Sequence, residues 1–136
     1  MNAPEPLALA LLPERYCICR LGAHDELPAW AHLAAERSID FISVTRTRAE
    51  LSVVCPSRFV PADVATRSDG WRCLRVDGLL ELSLTGVLLR LLQPLAGASC
   101  PVFTVATYET DYLLVAERDL ARAVAALRAA GHVVHD

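Results

Sequence analysis

The chain has 136 residues, 54% of them hydrophobic, with 13 basic and 16 acidic side chains and a formal charge of −3 at pH 7. That length suits one ordinary domain or two very small ones. The mild acidity leaves no electrostatic footprint for nucleic acid, and no apolar run reaches the ~20 residues of a membrane span. Met1-Asn2-Ala3-Pro4-Glu5-Pro6 lacks the positive stretch of a secretory leader, so the expected setting is cytoplasmic.

Residues 1–6 read as a disordered tail. The apolar run 7–12, stopped by Pro13 and Glu14, fits an opening strand, and residues 16–21 fit a second, closed by Gly22. Residues 27–36 carry Trp30, Leu33 and Ala34 at helical spacing, with Pro28 in the first turn. Residues 41–47 and 50–55 are rich in β-branched side chains around Arg48-Ala49, a hairpin signal. The stretch 56–70, with two prolines and Arg67-Ser68-Asp69-Gly70, is the expected boundary between a first module (7–66) and a second (67–136).

The second module is plainer. A strand over 71–77 leads through a linker to Ser83-Leu84-Thr85-Gly86-Val87, which has the chemistry of a helix start. Ser83 or Thr85 can cap the free backbone N–H groups, and Gly86 admits a close approach to them. Such a helix end favours an anion. The helix sets Val87, Leu88, Leu91, Leu92 and Leu95 on one face, and Pro94 must kink it or end its regular bonding. Strands over 102–107 and 112–115 flank the polar run Tyr108-Glu109-Thr110-Asp111, which reads as a hairpin turn. A last helix over 117–130 buries Leu120, Val124 and Leu127, with Gly131 as its stop and 132–135 as a closing edge strand. Helices on one face of an antiparallel sheet give an α+β, ferredoxin-like arrangement.

An anion-favouring helix start and a turn rich in oxygen acceptors together suit an amino acid, although the same residues also serve plain capping and turn chemistry. Catalysis has little to stand on. No glycine-rich phosphate loop occurs, and the paired carboxylates Glu109 and Asp111 cap or face solvent when placed in a turn. The five cysteines (Cys17, Cys19, Cys55, Cys73, Cys100) are an odd number without a C-x-x-C pair and read as small buried groups. The four histidines do not join them at zinc-site spacing, so no metal or cofactor is expected.

The order of strand, Ser-Leu-Thr-Gly-Val, helix, and then Thr107-Tyr108-Glu109-Thr110-Asp111-Tyr112-Leu113-Leu114-Val115 resembles an ACT domain, the small βαββαβ module that binds amino acids. It looks most like the second half of the paired ACT unit of CASTOR-type arginine sensors and their bacterial relatives. Upstream, Phe41-Ile42-Ser43-Val44-Thr45-Arg46-Thr47 and Glu50-Leu51-Ser52-Val53-Val54-Cys55-Pro56 resemble the first half. The resemblance implies two ACT-like modules and a ligand held by Leu84, Thr85, Gly86 and Val87 on one side. On the other it implies Thr107, Tyr108, Thr110 and Asp111, with Asp111 toward a cationic end. Those sensors have four such units, so two here imply a homodimer. Arg46, near the first hairpin tip, would repel a cation if it faced the site. A structural interaction module using the same surfaces without a ligand is the competing reading, and in either case an unknown regulated protein is the implied partner.

Overall fold

The computed structural model describes residues 5–78 and 86–136. These residues form an α+β structure with seven strands among them, β1 (Ala8–Leu21), β2 (Ser43–Arg46), β3 (Leu51–Pro56), β4 (Arg67–Val76), β5 (Val102–Ala106), β6 (Asp111–Ala116) and β7 (Val133–His135), and three α-helices, α1 (Ala29–Arg37), α2 (Val87–Gly97) and α3 (Leu120–Ala129). No described helix is long and apolar enough to cross a membrane. The chain divides into two compact units. One joins residues 1–13 to 72–136, and the other is the stretch 14–71 between them. By compactness the division lies at residue 71, where the sequence reading sets a module boundary at 66, and residues 7–13, assigned from sequence to the first module, sit in the unit that contains 72–136.

The reason lies in two long strands. Where two strands were expected around Pro13, β1 runs unbroken. Proline removes a ladder donor, and this one falls between residues 8–10, which pair with β7, and residues 16–21, which pair with β3. Likewise Arg67-Ser68-Asp69-Gly70, expected in the boundary loop, is strand. Arg67 holds it with a fork, Nε to Asp69 Oδ2 and Nη2 to Asp69 Oδ1, both 2.9 Å. That fork raises the guanidinium pKa and lowers the carboxylate's.

In the 14–71 unit β3 lies between β2 and β1, both antiparallel to it. Helix α1 covers one face through Ala31 and Ala34, whereas Leu33, expected on that face, is exposed. Small residues there let α1 sit close over Cys17, Cys19, Val53 and Cys55. The hairpin expected around Arg48 closes with Thr47 N–H to Glu50 O, and Arg46 turns its guanidinium to the carbonyls of Ala23 and Asp25.

All five cysteines are buried and free, and Cys17 and Cys19 approach to 3.5 Å between sulfurs. Burial pushes all three thiols of this core up, with Cys19 adding to the effect at Cys17, and Cys55 rises from 9.0 to about 12. Between those two pH values the unfolded chain has lost a proton that the folded one keeps. Stability is therefore complete below about pH 9 and falls as pH rises toward 12. Urea melts across that window should show the decline, and Cys55→Val should flatten part of it.

In the other unit the sheet order is β1-β4-β6-β5, with β7 parallel to β1. Helices α2 and α3 pack on one face. Leu91 and Leu95 of α2 meet Ala123 and Leu127 of α3 over Leu9, Leu74, Val76, Leu113 and Val115. Segment β4-α2-β5-β6-α3-β7 has the ferredoxin-like βαββαβ order. The last strand, however, pairs with β1 and not with β4. Both helices end in the same motif. His132 N–H bonds Leu127 O and Gly131 N–H bonds Arg128 O at α3, as Cys100 bonds Leu95 and Ser99 bonds Ala96 at α2. The left-handed position of α2 is taken by Ser99 (φ 59°), while Gly97 remains helical.

Pro94 sits inside α2 and has no N–H for the carbonyl of Arg90, four residues back. His132 supplies the missing donor. Its Nε2 lies 3.3 Å from Arg90 O, while its Nδ1 accepts from Leu7 N–H at 3.1 Å, which fixes the proton on Nε2. His132 is 7% exposed. His132→Ala leaves Leu7 N–H and Arg90 O unpaired, and we expect a loss of about 1–3 kcal/mol in a denaturant melt.

Candidate functional site

One end of the larger unit gathers most of the residues of interest. Asp77 N–H donates to Ala8 O, the neighbouring Leu7 N–H reaches His132, and His132 reaches Arg90 in the first turn of α2. This run of bonds places the start of α2 at the end where β4 finishes. The turn between β5 and β6 is at the same end, because Thr110 Oγ1 donates to Val76 O at 2.7 Å.

The turn is closed by its threonines. Ala106 and Asp111 form the last pair of the β5–β6 ladder. Beyond it Thr107 N–H donates to Thr110 O at 2.9 Å, Thr107 Oγ1 donates to the same carbonyl at 3.1 Å, and Thr110 N–H donates back to Thr107 Oγ1 at 3.3 Å. Thr107 and Thr110, expected to contact a ligand, thus have their hydroxyls engaged in building the turn and anchoring it to β4. Tyr108 stands out at the tip, 78% exposed.

Asp111 is half-buried, and among the described residues nothing donates a side-chain hydrogen bond to it. It shares a face of β6 with Leu113 and Val115, the face under the helices, because side chains alternate along a strand. Gly86 precedes the first residue of α2, Val87, in a left-handed conformation (φ 76°, ψ 3°) with open space where a Cβ would stand. A non-glycine side chain there is strained whatever the room. Leu84 and Thr85, with the Ser83 cap, lie outside the described residues.

The opposite face carries a cleft that the motifs alone did not single out. It has a volume of about 330 Å³ and is lined by residues 75–78, Glu109, Thr110 and Tyr112. Among the described residues only Thr110 belongs to both the cleft and the expected site. The signal was present at the end of β4, where Arg75 alternates with the buried Leu74 and Val76 and Asp77 follows directly. Among the described residues no group of three or more His, Cys, Asp or Glu is placed to hold a metal ion.

With this geometry the comparisons with known proteins take on meaning. Residues 66–129 match the family model of the ACT domain, and residues 14–63 match a model described as an N-terminal domain. A crystal structure of an Agobacterium tumefaciens protein is 36% identical, covering 97% of this chain and 93% of its own, with a TM-score of 0.85. A Vibrio cholerae protein of unknown function, described as a possible transport protein, is 18% identical over 93% of this chain and 91% of its own, with a TM-score of 0.67. The ligand-free regulatory subunit of aspartate kinase from Thermus thermophilus is 17% identical over 90% of this chain and 96% of its own, with a TM-score of 0.62. The last two share the fold. No curated protein matches. The chain belongs to the family of the Agobacterium protein, and its residues 66–129 form an ACT domain.

Proposed function

We propose that this protein is a regulatory module that binds an amino acid at the end of its ACT unit, between residues 84–87 and 107–111. The observation that carries the reading is the placement of the α2 start and the Thr107–Asp111 turn at one end of that unit, tied through His132 and Thr110. Backbone N–H groups at the helix start receive the ligand's carboxylate. Asp111, half-buried and with a carboxylate that accepts no hydrogen bond from the described residues, receives a positive group. Leu84, Thr85, Gly86 and Val87 supply the carboxylate side, while Thr107, Tyr108 and Thr110 shape the other. On this reading the chain is a paired ACT unit of the CASTOR type, working in the cytoplasm without catalysis of its own. It pairs with a second copy and passes its state to a regulated protein. Arg46 holds its guanidinium on the carbonyls of Ala23 and Asp25.

A thermal-shift screen against the proteinogenic amino acids tests this. A ligand at 100 times its dissociation constant adds about 2.7 kcal/mol of stability. A clear shift with a cationic amino acid is expected. No shift with any of them overturns the ligand claim and leaves a module that acts by interaction alone. Light scattering at tens of micromolar should give twice the 14.8 kDa of one chain, and a monomer would remove the homodimer from the reading.

A further inference from the structure

We propose that the cleft on the helix-free face of the ACT unit is a second small-molecule site, which takes a zwitterion through Arg75 and Asp77. Among the described residues it shares only Thr110 with the site above. Leu74, Val76, Leu113 and Val115 point into the core beneath the helices. Alternation therefore puts Arg75 and Tyr112 on the face opposite to Asp111, and Asp77, the residue after β4, joins Arg75 in the cleft. The cleft's 330 Å³ falls within the range of about 300–1,000 Å³ typical of ligand sites.

Strand β4 and the residue after it offer an internal comparison. Arg67 and Asp69, two residues apart, form a complete fork in which two nitrogens meet two oxygens. Arg75 and Asp77 have the same spacing and do not. Arg75 Nε, at 3.1 Å, and Nη2, at 3.0 Å, both donate to the one oxygen Oδ1 of Asp77. Asp77 Oδ2 and Arg75 Nη1 have no partner among the described residues. The pair is about one-third exposed on each side, so both free atoms are open to a small molecule. A guanidinium and a carboxylate that each keep one good position open present a donor and an acceptor side by side, which is the complement of a carboxylate and an ammonium on one small ligand.

The rest of the cleft agrees. Glu109 is exposed at its rim and adds a second carboxylate for the ammonium. Gly78, at φ 86°, leaves open space where a side chain would stand. Tyr112 forms an aromatic wall, and Thr110, fixed to Val76 O, holds the floor rigid. The ionisable lining sums to one excess negative charge, so a bare anion is disfavoured and the cation contributes recognition in its own right.

Amide NMR of the ¹⁵N-labelled protein, titrated with glycine, lysine, acetate and propylamine, tests the proposal. Glycine or lysine should shift Gly78, Glu109 and Tyr112 in a saturable way. Acetate and propylamine, each carrying half of the recognition, should bind roughly tenfold or more weakly, about 1.4 kcal/mol or more. Arg75→Gln and Asp77→Asn should each abolish saturation at these amides, while Asp111→Asn leaves it unchanged. The proposal is overturned if the amides do not respond to either zwitterion at tens of millimolar, if they respond equally in Arg75→Gln, or if Asp111→Asn alone removes the response. The last result would assign all binding to the helix-side site. Saturation here with no thermal shift lost in Asp111→Asn would leave this site standing and remove the other.

Discussion

Leu91→Ala is expected to lower stability by about 2–5 kcal/mol, the usual range for deleting a buried leucine side chain. Leu91 is 0% exposed and lies where α2, α3 and the sheet meet, in one core with Leu95, Leu113 and Leu127. The cost combines lost transfer free energy with a cavity that neighbours on two helices and a sheet cannot all close. Leu89, two residues earlier on the same helix and 57% exposed, provides the control. Leu89→Ala should change stability by no more than about 0.5 kcal/mol. Urea denaturation of the two variants checks both. A similar loss for both would mean that α2 does not face the core as described.

Asp111→Asn is expected to weaken amino-acid binding by about 2–5 kcal/mol if the ion pair is desolvated, and by the lower end of that range for a half-buried carboxylate. The substitution keeps the shape and removes the charge. It should barely affect folding, because the turn is closed by Thr107 and Thr110 and not by Asp111. A variant with unchanged melting temperature and lost affinity separates ligand recognition from turn stability. A variant with lowered melting temperature and unchanged affinity would return Asp111 to a structural role.

Much of the fold was legible because local chemistry and tertiary need coincide in the second half. The leucine spacing of α2, the β5–β6 alternation and Gly131 after α3 each find the partner their pattern requires. The misreadings share a cause. Pro13 and Arg67-Ser68-Asp69-Gly70 look like breaks because proline and charge usually end strands, yet here a change of neighbouring strand and an Arg–Asp fork accommodate them. Alternation along a strand cannot show which neighbour that strand chooses, so neither the return of residues 8–13 to the ACT unit nor the pairing of β7 with β1 was readable. Leu33 in place of Ala31 was the hydrophobic choice, but close helix–sheet packing over thiols prefers the smaller residue.

At the site, the turn was readable as a motif, since hydroxyl positions carry local backbone chemistry, and the helix begins directly after Gly86. The duties of individual groups were not. Nothing in Thr107-Tyr108-Glu109-Thr110 reveals that one hydroxyl closes the turn and another reaches across to Val76. His132 likewise reads as an ordinary strand residue until Pro94 is seen to leave a carbonyl that only a side chain from elsewhere can satisfy.

The most direct test of an amino-acid-binding ACT module is calorimetric titration of the wild-type protein with arginine, lysine and their neutral isosteres citrulline and norleucine. A pocket that pairs Asp111 with a cation predicts saturable heat with at least one of the cationic pair and weaker binding of its neutral isostere. Flat titrations with all four would contradict it.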